Sequence, residues 1–418
     1  MPRKNLSQRV HQSRLMAEHL EPRCMLAAAP MAAMPRVILN GETVAAWADS
    51  SIMTPGYGAA VIGPALRTST AVLAGAMPLV IRANQLLQAA SATVANTYSS
   101  ANQLPPRIQW NANYGYCGEV SLIIAGLYYG QYISQYDARA LASNNTPQNR
   151  SSSQLLLGVN DVSAAKAMHL TTTTFNTAKQ TNTASFLTWV KSNVTAGYPV
   201  VMGIFINQSR FHGTKNLNAG DAEYDHIVVA TGITSTHSLV GPAVYYSNDV
   251  IRFNDNGLWT GTPSGLPQNA FSFSFGTFPA TRQQANAKTR PVYSLRNGPN
   301  YGLAVTGIID LSHETVPVRL TTSVNAELPR IVNGSNIRPA AKPVTLTITV
   351  SSLNPGTTYN LYRYNSMANV PDSNINANAA KAPQKWTITI PSGSTYTMTQ
   401  TINSNATAVY RAVPVGAP

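Results

Sequence analysis

The sequence contains little cysteine and little charge. Cys24 and Cys117 are the only cysteines among 418 residues, which excludes a framework of several disulfides. Charged residues make up 11% of the chain, well below the roughly 25% typical of soluble domains, and Ser, Thr and Asn take their place. The apolar fraction of 44% argues against disorder, and the length suffices for two or three domains with real cores.

Long apolar runs are also absent. No stretch of about 18 apolar residues occurs, and the best candidate, residues 70–81, is short and contains Pro78, so no membrane-spanning helix is predicted. The formal net charge is +13, but the basic residues are scattered and form no stripe with aromatic residues between them. This pattern does not favour nucleic-acid binding. It favours solubility, or attraction to an anionic cell-wall or matrix polymer.

Residues 1–30 are basic and are predicted to be an export leader. The stretch from Leu20 to Ala28 reads LEPRCMLAA. It resembles the N-terminal export motif of planctomycete surface proteins, which is Leu-Glu-Pro-Arg, a variable residue, Leu or Met, then Leu and small residues. The resemblance implies a secreted or cell-surface protein that is cleaved near the alanines. Cleavage would leave Cys117 as the single thiol, which favours a chemical role over a structural disulfide; a buried core cysteine is the alternative.

The rest of the chain divides into three predicted segments. Residues 31–103 are rich in Ala, Ser and Thr and are interpreted as a linker or a pro-segment. Residues 104–300 contain apolar helix patterns followed by apolar strands, an order typical of an α+β domain. Residues 301–418 contain short alternating strand patterns separated by Pro, Gly, Asn and Ser, which predict an all-β sandwich.

Cys117 stands where a glycine-punctuated loop gives way to an apolar helix pattern, predicted over residues 118–134. The N-terminal end of a helix presents unsatisfied N–H groups and the positive end of the helix dipole, and both favour thiolate over thiol. A thiolate is the nucleophilic form of cysteine. Gln109 is the candidate side-chain donor for an oxyanion, together with the Cys117 main-chain N–H, and Asn111 is the alternative donor.

His226 and Asp255 are the predicted partners of the cysteine. His226 opens an apolar strand over residues 226–233, whereas the other histidines lie in the leader, in polar loops or near predicted boundaries. Asp255 follows the strand pattern of residues 250–253 and is the candidate orienter of the histidine, with Asn254 and Asn256 as close rivals. A turn made by these polar residues is the structural alternative.

Asp225 precedes His226 directly. It could tune the pKa of His226, but neighbouring residues of a strand point to opposite faces, so we expect Asp225 to be exposed to solvent instead.

Four motifs in this order resemble the papain-like cysteine peptidase superfamily. They are Gly115–Leu122 (GYCGEVSL), Gly197–Val201 (GYPVV), His226–Gly232 (HIVVATG) and Asn254-Asp255. The nearest branch is the bacteriocin-leader (double-glycine) peptidase-like proteins, and the similarity covers about residues 104–260. That branch usually has proline after Cys-Gly and after Asp.

Glu119 and Asn256 take the places of those two prolines. The resemblance implies a buried helix that carries the cysteine and an antiparallel sheet that carries the histidine and the aspartate.

The resemblance also implies acyl transfer on a peptide or amide substrate. Cys117 would attack the carbonyl, His226 would transfer the proton and Asp255 would hold the imidazole ring. No cofactor and no metal are implied. Hydrolysis and transpeptidation remain open, and the alternative from another class is an inactive surface binding or adhesion protein with a β-sandwich module.

Overall fold

The computed structural model describes residues 97–177, 179–322 and 336–417. The leader and nearly all of the Ala/Ser/Thr-rich segment therefore lie outside the described residues. Within the described ranges the α-helices are α1 (Cys117–Tyr128), α2 (Gln135–Ala142), α3 (Asp161–Ala167), α4 (Thr183–Thr195), α5 (Gln208–His212) and α6 (Arg282–Ala285). Short 3-10 turns occupy Ser151–Ser153, Met367–Asn369 and Ala379–Lys381.

Among the described residues, the first group of strands forms a nine-stranded sheet, almost entirely antiparallel. Its main path runs β3, β10, β4, β5, β6, β7; β1 pairs with β5, and β9 pairs with β4 and, in parallel, with β8. These strands are β1 (Tyr98–Ala101), β3 (Leu170–Thr174), β4 (Val200–Ile206), β5 (His226–Ser235), β6 (Val250–Asn254), β7 (Ala270–Ser274), β8 (Pro279–Ala280), β9 (Tyr293–Arg296) and β10 (Gly302–Ile308).

The remaining strands form two further antiparallel sheets. One has the order β11, β12, β15 and the other has the order β14, β13, β16, β2. Both contribute buried side chains to the same apolar cluster, which also contains the apolar side chains of α1. These strands are β2 (Gln131–Tyr132), β11 (Val318–Thr322), β12 (Pro343–Val350), β13 (Thr358–Tyr364), β14 (Gln384–Thr389), β15 (Tyr396–Asn403) and β16 (Ala408–Pro414).

Helix α1 is buried along its whole length because it is apolar on nearly every side. It packs on β5, where the Ser121 hydroxyl donates to the Ile227 carbonyl at 3.1 Å. The helix ends at Tyr128, six residues before the predicted end at residue 134. Gly130 has a φ of 72°, and a Cβ there would lie 3.0 Å from Val318, so only glycine lets the chain turn here and approach the next strand.

The chain after this turn pairs with the other end of the sequence. Strand β2 is antiparallel to β16. Conversely, β10 lies beyond the boundary predicted at residue 300 but pairs with β3 and β4 of the nine-stranded sheet. The protein is thus a mixed helix and sheet protein with many antiparallel strands, and the boundary at residue 300 stays a prediction.

Candidate active site

Cys117 follows a backbone turn of unusual conformation. Asn113, Tyr114 and Gly115 have successive φ angles of 48°, 68° and 87°. Positive φ is costly for residues other than glycine, and two of these three carry side chains. Tyr116 then returns to a φ of −125°, and Cys117 begins α1. The turn therefore presents the thiol at the N-terminal end of a buried helix, where a negative charge is stabilised.

A buried guanidinium holds this turn in place. Arg139, in α2, donates to the main-chain carbonyls of Asn113 and Gly115. Its Nε donates to Glu119 Oε1 at 2.7 Å, and both side chains are almost completely buried. The guanidinium carbon also lies 3.6 Å from the centre of the Tyr116 ring. Burial raises the pKa of Glu119, while Arg139 opposes that rise through its charge and its hydrogen bond.

His226 is the first residue of β5, and its side chain is fully buried. Its Nε2 lies 2.7 Å from Asp255 Oδ1, and its ring stacks on Tyr293 with a centroid distance of 6.0 Å. Because Asp255 occupies Nε2, Nδ1 is the ring nitrogen left for the thiol of Cys117. Burial disfavours the imidazolium, but the hydrogen bond to Asp255, the interaction with Cys117 and the charges of both outweigh it and raise the pKa of His226 to about 9.

This pKa makes the stability of the fold depend on pH. The pKa of His226 in the folded state, about 9, is above the ordinary value of 6.5, so the folded protein retains this proton longer than the unfolded chain. The contribution of His226 to stability is complete below about pH 6.5 and is lost as the pH rises through about 9. A shift of this size corresponds to about 3 kcal/mol.

We therefore test this in a Cys117→Ala background, where no thiolate titrates beside the imidazolium. There the advantage of His226 over His226→Ala, measured as the free energy of unfolding in urea, should narrow as the pH rises from 6 to 10, by less than about 3 kcal/mol because Asp255 alone then raises the pKa. A gap between the two proteins that stays constant across this range would contradict the assignment.

The contacts at the end of β6 and just beyond it show which of three consecutive polar residues meets His226. Asp255 points to the same side of the sheet as the histidine and accepts its hydrogen bond. Asn254 and Asn256 point to the opposite side, as alternation requires. There the Asn254 side-chain amide donates to the Leu104 carbonyl at 3.0 Å, and the Asn256 side chain contacts α1. Of the three candidates, Asp255 is the residue that the fold places on the imidazole.

Gln109 is buried beside the beginning of α1. Its Oε1 accepts from the Tyr116 main-chain N–H at 2.9 Å, and its Nε2 donates to Asn256 Oδ1 at 3.3 Å. The main-chain N–H of Gln109 also donates to the Asn256 carbonyl at 3.1 Å. Gln109 is thus joined to Tyr116, which directly precedes Cys117, and to Asn256, which directly follows Asp255. The fold thus brings Gln109, Cys117, His226 and Asp255 into one region.

Tyr224 is a neighbour of the thiol that sequence analysis missed. Burial raises its pKa, and the nearby charge of Cys117 raises it further. Its ring covers Gly203 in β4, where an added Cβ would lie 2.7 Å from the Tyr224 Cγ. The signal that could have found this contact is the glycine itself, because an isolated glycine inside an apolar strand often marks a close approach.

The expectation that Asp225 is exposed is wrong. The carboxylate is fully buried and forms an ion pair with Arg282. It also accepts from the main-chain N–H of Ile206 at 3.0 Å and from Gln208 Nε2 at 3.2 Å. Strand alternation correctly turns Asp225 away from His226, but that other face is covered by α5 and α6 rather than by solvent. Asp225 therefore anchors the segment that leads into His226.

Comparison with known proteins supports a relationship to peptidases. A model of the Peptidase_C39 like family matches residues 101–275, which is less than half of the chain. The match contains Cys117, His226 and Asp255 and nearly coincides with the part of the sequence that resembles papain-like peptidases. No curated protein shows significant similarity to the chain. The match supports a peptidase-like domain that includes these three residues and, in general terms, a cysteine peptidase-like hydrolase.

Two further properties apply only to the described ranges. None of the helices found there is both long and apolar enough to cross a membrane. The same ranges contain no cluster of three or more His, Cys, Asp or Glu side chains that could hold a metal ion.

Proposed function

We propose that the protein is an exported papain-like cysteine peptidase or amidase that acts by acyl transfer through Cys117, His226 and Asp255, with a β-sandwich as accessory domain. The observation that carries this proposal is the buried His226–Asp255 hydrogen bond of 2.7 Å on a ring that also interacts with Cys117. A nucleophile, a base and an orienter of the base are the parts that thiol catalysis requires.

The first half of the reaction forms a thioester. The Cys117 thiolate attacks the carbonyl carbon of a peptide or amide, and the carbonyl π electrons move to the oxygen. Gln109 Nε2 and the Cys117 main-chain N–H donate to that oxyanion. His226 gives its Nδ1 proton to the leaving amine as the C–N bond breaks.

The second half releases the acyl group. Water, or an amine in a transpeptidation, attacks the thioester and gives a proton to His226, and the C–S bond breaks. Asp255 accepts from the imidazole Nε2 throughout and keeps the ring oriented. The buried pair suits this chemistry because thiolate and imidazolium each stabilise the charge of the other. No cofactor takes part in either half.

The partners and the location are part of the same proposal. A peptide or amide is the substrate, and the net charge of +13 supports contact with an anionic cell-wall or matrix polymer. The basic leader with its LEPRCML motif supports a secreted or cell-surface location. The order of short antiparallel strands after residue 310 supports the β-sandwich.

The test is the rate at which iodoacetamide alkylates Cys117 as a function of pH. We expect rapid alkylation at pH 6, where an ordinary thiol with a pKa of about 8.5 is almost entirely protonated. His226→Ala should lower that rate by about 100-fold, because the thiolate loses its counter-charge. His237→Ala, which removes a half-buried histidine from the loop after β5, is the matched control and should react like the wild type. If the wild type is alkylated slowly and His226→Ala does not change that rate, the proposed function is wrong and the protein is an inactive binding scaffold.

A further inference from the structure

Asn256 joins three parts of the candidate site through one fully buried side chain. Its Oδ1 accepts from Gln109 Nε2 at 3.3 Å. Its Nδ2 lies 3.2 Å from the carbonyl oxygens of both Cys117 and Ile227 and 3.3 Å from Ser121 Oγ. The same amide thus contacts the loop before the cysteine, the first turn of α1 and the start of β5 beside the histidine.

The contacts of Gln109 connect the Asn256 side chain to the stabilisation of an oxyanion. Its Oε1 accepts from the Tyr116 N–H and its Nε2 donates to Asn256, so Nε2 is the atom that can still donate to a reacting group. A primary amide nitrogen carries two protons. Asn256 accepts one of them, which fixes the plane of the amide and leaves the other proton for an oxyanion. A donor aimed in advance stabilises developing charge far better than one that must first reorient.

The backbone makes Asn256 a rigid partner. Its carbonyl accepts from the Gln109 N–H at 3.1 Å, so residues 109 and 256 are joined twice. Gly257 follows with a φ of 77°, and an added Cβ there would lie 3.3 Å from the side chains of Ile108 and Pro267. Any other residue at position 257 would strain this turn. Proline, usual at position 256 in the pattern that this chain resembles, has no side-chain polar atom for these bonds.

We propose that Asn256 is a positioning residue that preorganises Gln109 as the oxyanion donor and locks it to the helix of Cys117 and to the strand of His226. This inference rests on the proposed acyl transfer. It assigns to Asn256 no contact with the substrate, since its side chain acts through Gln109.

Two reactions of the same thiol separate positioning from general structural support. Acylation of Cys117 by p-nitrophenyl acetate passes through an oxyanion, whereas alkylation by iodoacetamide does not. We expect Asn256→Ala to slow acylation about 10- to 100-fold, somewhat less than the loss of an oxyanion donor itself. Alkylation should stay within about threefold of the wild type, because His226 and Asp255 keep their contacts. Asn256→Ser, which retains a short acceptor, should lie between the wild type and Asn256→Ala.

Asn254→Ala is the matched control, because Asn254 is a buried amide on the same face of β6 that binds only the Leu104 carbonyl among the contacts found. It should change neither reaction. Gln109→Ala should slow acylation alone, and adding Asn256→Ala to it should cause little further loss, since both act through one donor. The rapid alkylation expected of each variant also shows that the variant is folded.

The outcomes distinguish this inference from the function on which it rests. If the wild type alkylates slowly and is not acylated, the proposed function fails and the inference fails with it. If the wild type shows both reactions, the inference alone is overturned by either of two results. One is an equal loss of both reactions in Asn256→Ala and Asn256→Ser, and the other is unchanged acylation in both variants.

Discussion

Replacing Asp255 with alanine is expected to slow the alkylation of Cys117 at pH 7 by about 100-fold and to slow acyl transfer by about 10²- to 10⁴-fold. Asp255 supplies the hydrogen bond and the charge that oppose the burial of His226. Without them burial dominates, the pKa of His226 falls, and the imidazolium that stabilises the thiolate becomes rare at neutral pH. The alkylation profile should therefore move towards that of an ordinary thiol.

Asparagine should fail to replace Asp255, although papain-like sites use either residue. Asp255 Oδ1 accepts from His226, and its Oδ2 accepts from the Leu258 main-chain N–H at 3.0 Å. Asparagine has a single acceptor oxygen, so Asp255→Asn must leave one of these two donors facing its NH₂ group. We expect this variant to retain less than a tenth of the wild-type acylation rate, because an unsatisfied buried donor costs about 1–3 kcal/mol.

The other end of β6 offers a matched control. Asp249 is also a fully buried carboxylate, paired with Lys191 at 2.7 Å, but it lies at the end of the strand away from His226. Asp249→Asn should lower the free energy of unfolding and leave the pH profile of alkylation unchanged. If Asp255→Ala and Asp249→Asn had equal effects on that profile, Asp255 would be a structural residue only.

The sequence predicts Cys117 and His226 as candidates because each stands at the end of a strongly patterned element. Cys117 begins an apolar helix and His226 begins an apolar strand, and such ends present side chains at the edge of a core. The strand predicted over residues 226–233 is observed from His226 to Ser235. Local pattern also gave three candidates for the orienter, but only the position of β6 beside β5 selects Asp255.

What could not be read from the sequence depends on contacts between distant residues. Glu119 gives no hint that its partner is Arg139 in α2, and Asp225 gives none that Arg282 covers it. Helix α1 ends early because Gly130 must approach Val318, a residue that is far along the chain. Buried charges and helix ends of this kind are fixed by tertiary packing, which overrides local propensity.

Removing Arg139 is expected to have the largest effect on stability, about 3–5 kcal/mol for Arg139→Met. The variant leaves Glu119 buried without a counter-charge, and it also leaves the Asn113 and Gly115 carbonyls without their donor. Those carbonyls belong to the turn with positive φ, so the loss should also loosen the approach to Cys117. Urea unfolding at pH 7 measures the first effect, and the alkylation rate of Cys117 measures the second.

The stability of Arg139→Met should also depend on pH, in a direction that Glu119 determines. Burial already raises the pKa of Glu119, and loss of Arg139 removes the main opposing influence. In Arg139→Met the folded protein therefore binds a proton on Glu119 at a higher pH than the unfolded chain does, so its stability rises as the pH falls towards about 4. The deficit relative to the wild type should shrink over the same range.

A double variant separates the ion pair from the shape of the site. Arg139→Met combined with Glu119→Gln removes both charges, so it should cost less than the sum of the two single changes. It should still not restore the wild-type alkylation rate, because methionine cannot bind the two carbonyls of the turn before Cys117. Additive losses would mean that Glu119 and Arg139 act independently, and full recovery of the rate would mean that the turn holds its own conformation.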